Sequence, residues 1–151
     1  MKSNLHQELQ NKVENYLLNN AYWIIRQEAQ TLGGISDVWG IRHIDYKTMN
    51  IEVKVSKADY HSRSQKYKEH NSGAIANKNF ILCPKWLIMP KEINPYWGLL
   101  WYDEKTDRIQ NMKQPTELEQ TDLQKLETLI HFLYNGVNRN QLTINPQRSG
   151  N

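Results

Sequence analysis

The stretch 49–56, MNIEVKVS, alternates strictly between apolar and polar residues, and it constrains the fold more than any other part of this chain. Side chains along a β-strand point to opposite faces with a period of two. Met49, Ile51, Val53 and Val55 therefore share one face, and Asn50, Glu52, Lys54 and Ser56 share the other. Four apolar residues commit their side to a core. A slip of one residue would expose all four, so the register is pinned, and Glu52 and Lys54 must point together into whatever covers the opposite face. Two readings follow. Opposite charges on one solvated strand face are stabilising neighbours and need no further role. The same pair beside a second carboxylate is suited to a hard cation and an anionic substrate.

The flanking pattern places that strand in a mixed architecture. Leu5, Leu9, Val13, Tyr16 and Leu17 recur at helical spacing, which predicts a helix over 4–20. Strands are expected at 21–28 and 35–44, separated by the turn Thr31-Leu32-Gly33-Gly34. The tetrapeptide DYKT then connects by a hairpin to the third strand, 49–56, completing an antiparallel meander. Ser56 is a candidate N-cap for a polar helix running to about 70. The apolar run KNFILCP, 78–84, reads as a buried strand. Prolines 84, 90 and 95 mark the connection to a hairpin of 96–103 and 108–112. Thr116-Glu117-Leu118-Glu119 has capping-box spacing for a closing helix. Its apolar stripe is Leu123, Leu126, Ile130 and Leu133, and Gly136 ends it. The expected order is α-β-β-β-α-β, a mixed central sheet flanked by helices, followed by a C-terminal hairpin and helix. Residues 1–136 form one α/β domain, and 137–151 form a polar, flexible tail.

Composition removes several alternatives. Cys83 is the single cysteine, which excludes an internal disulfide and a cysteine-rich zinc site and fits a reducing interior. No apolar run reaches membrane-spanning length, and the polar start MKSNLHQELQNK is unlike a signal peptide, so a cytoplasmic location without membrane association is expected. The net charge of +3 permits a polyanionic partner without requiring one. Its distribution is more specific: Lys54, Lys57, Arg63, Lys66 and Lys68 stand against one acid, Asp59, over 54–68. The five histidines lack the spacing of a helical metal pair and are read as incidental, and the tryptophans 39, 86, 97 and 101 as core.

In the second strand Asp37 is the only acid of the set Ile35, Asp37, Trp39 and Ile41. If that strand pairs with the third, Asp37 and Glu52 approach on a common face with Lys54 beside them. Phosphodiester hydrolysis calls for such a trio. Two carboxylates hold Mg²⁺ or Mn²⁺ through oxygen, with the backbone carbonyl of Val53 as a further donor. The lysine orients the attacking water and offsets charge growing on the phosphate. Lys57, Arg63, Lys66 and Lys68 on the following helix hold the nucleic acid backbone.

The order GGISDVWGI…NIEVKVSKADY resembles the core of the PD-(D/E)XK nuclease superfamily, in which an Asp on one strand precedes Asp/Glu-x-Lys on the next. More narrowly it resembles the MmcB-like DNA repair group, in which a Glu-Val-Lys-Val-Ser strand runs into Asp-[Phe/Tyr] and then Lys-[Trp/Tyr]. Those positions here are Glu52 to Ser56, Asp59-Tyr60 and Lys66-Tyr67. The resemblance spans 21–112 and is most specific at its centre. It implies a restriction-endonuclease-like core, Asp37 and Glu52 as metal ligands, and Lys54 as the catalytic lysine. A further acid, Glu28 or Glu8, would come from the first strand or first helix. It also implies a DNA substrate, with RNA left open, and a homodimer. No proline precedes Asp37, and Gln65 is followed four residues later by Glu69 rather than Tyr, unlike RecB-type members. The alternative is a module that keeps the fold and binds nucleic acid or protein without catalysis.

Overall fold

The computed structural model describes residues 4–20, 22–31, 34–42, 44–62, 76–139 and 142–144. Helix α1 (Asn4–Asn19) precedes the strands β1 (Tyr22–Thr31), β2 (Gly34–Arg42) and β3 (Thr48–Val53). Helix α2 (Lys57–Ser62), β4 (Lys78–Pro84), a 3₁₀ turn (Pro90–Glu92) and the hairpin β5 (Gly98–Asp103) and β6 (Arg108–Lys113) follow. Helix α3 (Asp122–Arg139) and β7 (Leu142–Ile144) close the described chain. One sheet runs β6-β5-β4-β3-β2-β1-β7. β1, β2 and β3 form the expected antiparallel meander, whereas β3, β4 and β5 are mutually parallel. The fold is α/β, with the order α-β-β-β-α-β followed by a hairpin and a helix. Among the described residues, no helix is long and apolar enough to cross a membrane.

Both faces of the sheet centre are covered, which explains the unbroken apolar run of β4. Phe80 and Leu82, with Leu100 and Tyr102 of β5, face α1 and meet Leu9, Val13 and Leu17. Ile81 and Cys83, with Leu99 and Trp101, face the other way, toward Tyr60 of α2 and Ile88, Ile93 and Trp97. The alternation of MNIEVKVS lands as expected: Ile51 and Val53 lie in the α1 core. Ser56 caps α2, its Oγ accepting from the Asp59 N–H at 3.1 Å.

Several boundaries and faces differ from expectation. β3 ends at Val53 rather than at 56, although Lys54 still donates its N–H to Leu82 O at 2.9 Å. The closing helix starts at Asp122, not near Thr116. The capping box is real but sits five residues later: Thr121 N–H donates to Gln124 Oε1 (2.9 Å) and Gln124 N–H to Thr121 Oγ1 (3.1 Å). Residues 116 and 118 are instead tied to the body, their N–H groups donating to Pro95 O and Asn77 O. The stripe of α3 is also turned outward, with Leu123, Leu126 and Ile130 at 63, 52 and 56% exposure. Leu129 packs on Trp39 and Ile41 in their place. Of the stretch expected as a tail, 137–151, the described residues are 137–139, at the end of α3, and 142–144, the strand β7, paired antiparallel with β1.

Candidate functional site

Asp37, Glu52 and Lys54 of the central motif lie at one end of the sheet, where its ladders break. β1 pairs Gln27 with Val38 and Ala29 with Ser36, passing over Glu28 and Asp37. The β2–β3 ladder runs from Ile41↔Thr48 to Val38↔Ile51 and stops there. Continuing both registers by one position sets Glu28, Asp37 and Glu52 in a row across the three strands. Instead of exchanging ladder hydrogen bonds there, Asp37 uses its side chain. Its Oδ2 accepts from the Val53 N–H at 2.8 Å, so the carboxylate rests against the peptide joining Glu52 to Val53. Glu28 takes φ = 52°, a left-handed conformation rare for a residue with a side chain, at this same break.

Glu52 and Lys54 are 4 and 3% exposed. A solvated ion pair is therefore not what this strand carries. Taking charges out of water costs several kcal/mol per ion, about what a folded domain has to spare, so such groups persist only with compensating partners. Lys54 Nζ lies 3.7 Å from Asp59 Oδ1, on the helix that Ser56 caps. On the same strand face, buried Asn50 accepts from Ser36 Oγ (2.5 Å) and donates to Asn79 Oδ1 (3.3 Å). That network locks β2, β3 and β4 in register just ahead of Glu52.

Helix α1 supplies two residues that sequence reasoning passed over. His6, read as incidental, places Nε2 3.5 Å from Asp37 Oδ2. Gln10 is fully buried, and its Nε2 donates to Glu28 Oε1 (2.7 Å) and to Asp37 O (3.0 Å). The signal was present: positions 6 and 10 are one helical turn apart, on the side of α1 next to its apolar stripe. Gln10 thereby ties the strained Glu28 to Asp37.

The remaining candidates divide. Of the two proposed supplementary acids, Glu28 shares the Gln10 amide with Asp37, whereas Glu8 lines a groove with Trp86 and Tyr102. Lys57 is held by Glu92, its Nζ donating to both carboxylate oxygens at 2.8 and 3.0 Å. Arg63, Lys66 and Lys68 lie outside the described residues. Trp39, Trp97 and Trp101 are buried as expected, but Trp86 is 66% exposed.

Among the described residues, no group of three or more His, Cys, Asp and Glu side chains assembles that could hold a metal ion. The residues at the break, Asp37, Glu52 and Glu28, bear carboxylates that do not converge as one group. They are hard oxygen groups, and Gln10 Oε1 is buried there with no hydrogen-bond partner. Such a set suits a small divalent cation that uses one or two carboxylates and keeps several waters.

No family model matches the chain, and no curated protein matches it. It is similar in structure to the SPO1766 protein of unknown function from Silicibacter pomeroyi, with a TM-score of 0.69 and 20% identity. The alignment covers 92% of this chain and 90% of the other. At that identity the likeness is one of fold.

Proposed function

We propose that this protein is a metal-dependent deoxyribonuclease of the PD-(D/E)XK type, similar in its motif to the MmcB-like DNA repair group. The observation carrying this reading is the burial of Glu52 and Lys54 on one strand end, with the Asp37 carboxylate against the intervening peptide. Bound at these oxygens, Mg²⁺ or Mn²⁺ would supply Lewis acidity and a water of lowered pKa. Asp37 and Glu52 would hold the cation, with Val53 O and Glu28 as further oxygen donors. The Val53 N–H and Gln10 keep Asp37 in place, so little ordering remains to be done when substrate arrives. Lys54, shielded from bulk water, aims its ammonium at charge that grows on the phosphate. Lys57, Arg63, Lys66 and Lys68 serve the backbone of the bound strand, and a homodimer would present two such sites to a duplex.

The purified protein should cleave DNA in Mg²⁺ or Mn²⁺ and stop in EDTA. Asp37→Ala and Lys54→Ala should each lower cleavage by about 10²-fold or more, the scale seen when a transition-state electrostatic partner is removed. Unchanged cleavage by both variants would reject the site. A second reading, a binding module without catalysis, is favoured by the absence of a closed three-residue metal group among the described residues. Salt-sensitive DNA binding with no calorimetric response to Mg²⁺ or Mn²⁺ would select it.

A further inference from the structure

Beyond the carboxylates, the same end of the parallel strands carries a groove of about 530 Å³ lined by residues of α1, β4 and β5. Open α/β sheets bind ligands outside the C-terminal ends of their strands, and this volume is in the range of small-molecule sites. We propose that this groove takes a nucleobase of the bound strand, stacked on Trp86; this deepens, and rests on, the nuclease reading.

Trp86 is exposed on a backbone of φ = 73°, which side-chain-bearing residues rarely adopt. Its pose is fixed all the same. The indole lies 4.8 Å from the ring of Trp101 at 52°, and Trp101 is itself anchored by Nε1 donating to Ile88 O at 2.8 Å. The preceding residue is pinned twice: Lys85 N–H donates to Tyr102 O (2.9 Å) and Lys85 Nζ to Asp103 Oδ2 (3.2 Å). A large apolar ring held rigidly in water, against a groove, is a platform for a planar partner.

The charges say which planar partner. Glu8, Asp103 and Glu104 line the groove against Lys85 and Lys105, so it repels phosphate rather than collecting it. A guanidinium or ammonium is disfavoured as well, because Lys85 Nζ already sits 5.5 Å over the Trp86 ring. A neutral heterocycle meets neither objection, and the carboxylates accept from its exocyclic amino groups. Helix α1 joins the two places. Leu5 and Glu8 line the groove, while His6 and Gln10, on another side of the same two turns, contact the Asp37 cluster. The helix is about 10 Å across, so the groove and Asp37 lie about one helix width apart, a span that neighbouring nucleotides of one strand bridge.

The test is fluorescence anisotropy with the full chain and a labelled single-stranded 12-mer in EDTA, where nothing is hydrolysed. Trp86→Ala should weaken binding at least fivefold, and Trp86→Phe should retain most of it. A strand of the same length with abasic sugars should bind the wild type as weakly as the intact strand binds Trp86→Ala. Equal binding of intact and abasic strands, or no effect of Trp86→Ala, overturns the assignment while leaving cleavage by the Asp37 site untouched. So does displacement of the strand by an arginine-rich peptide through Trp86. Base-dependent binding through Trp86 in a protein that never cleaves would retain the groove and sink the nuclease reading instead.

Discussion

Asp37 shows what a single residue contributes that its neighbours in sequence do not reveal. Its side chain accepts the Val53 N–H just beyond the last β2–β3 pair, where the ladder stops. Asp45 does the opposite kind of work in the β2–β3 turn. Arg42 Nε donates to its Oδ1 at 3.0 Å, Arg42 also pairs with Oδ2, and the Lys47 N–H adds a further bond. Bonding to Arg42 pulls the Asp45 carboxyl down to about 2 from its ordinary value near 3.8. Because the folded state holds the proton more weakly than the unfolded chain, this pair stabilises the protein above pH 4. The contribution disappears as pH falls toward 2. Screening at this half-open site reduces it to about 1 kcal/mol. Urea unfolding at pH 5 and pH 2.5 should show that increment in the wild type, and Asp45→Asn should lack it.

At the scale of elements, legibility tracked the kind of signal. The boundaries of α1, β4 and β6 were readable to within a residue or two, because periodicity and flanking polar residues both mark them. The start of α3 was not. Two capping-box patterns lie five residues apart, and only the hydrogen bonds of residues 116 and 118 to the body exclude the first. The stripe on α3 was legible as a stripe, but periodicity does not say what surface it meets. β5 presents a tighter constraint than its alternation suggests. At Gly98 a Cβ would stand 2.6 Å from Phe80 Cε1 and 2.7 Å from Lys113 O. A backbone oxygen cannot step aside as a side chain does. Gly98→Ala is therefore expected to cost about 1–3 kcal/mol, measured as a lowered urea midpoint at unchanged m-value.

The whole molecule couples its core to its site through α1. The stripe of Leu9, Val13 and Leu17 seats the helix on the sheet, and that seating sets where His6 and Gln10 stand against Asp37. Leu9→Ala should lower stability by about 2–5 kcal/mol. If the helix shifts, the same change should also weaken Mn²⁺ binding in calorimetry run well below the unfolding transition. A variant equally destabilised from the far side of the sheet, such as Ile88→Ala, should bind Mn²⁺ as the wild type does.

Sequence alone determined the strand face shared by Glu52 and Lys54, the meander and the order of elements, since these follow from periodicities of two and 3.6 that any folded arrangement must respect. It also named Asp37, as the one acid on the facing set of β2. Tertiary structure alone decided that Glu52 and Lys54 are buried, that Gln10 ties Glu28 to Asp37 while Glu8 lines a groove, and that Trp86 faces water. Those outcomes depend on which helix covers which face and on where two ladders part, and such long-range placements leave no periodic trace along a chain.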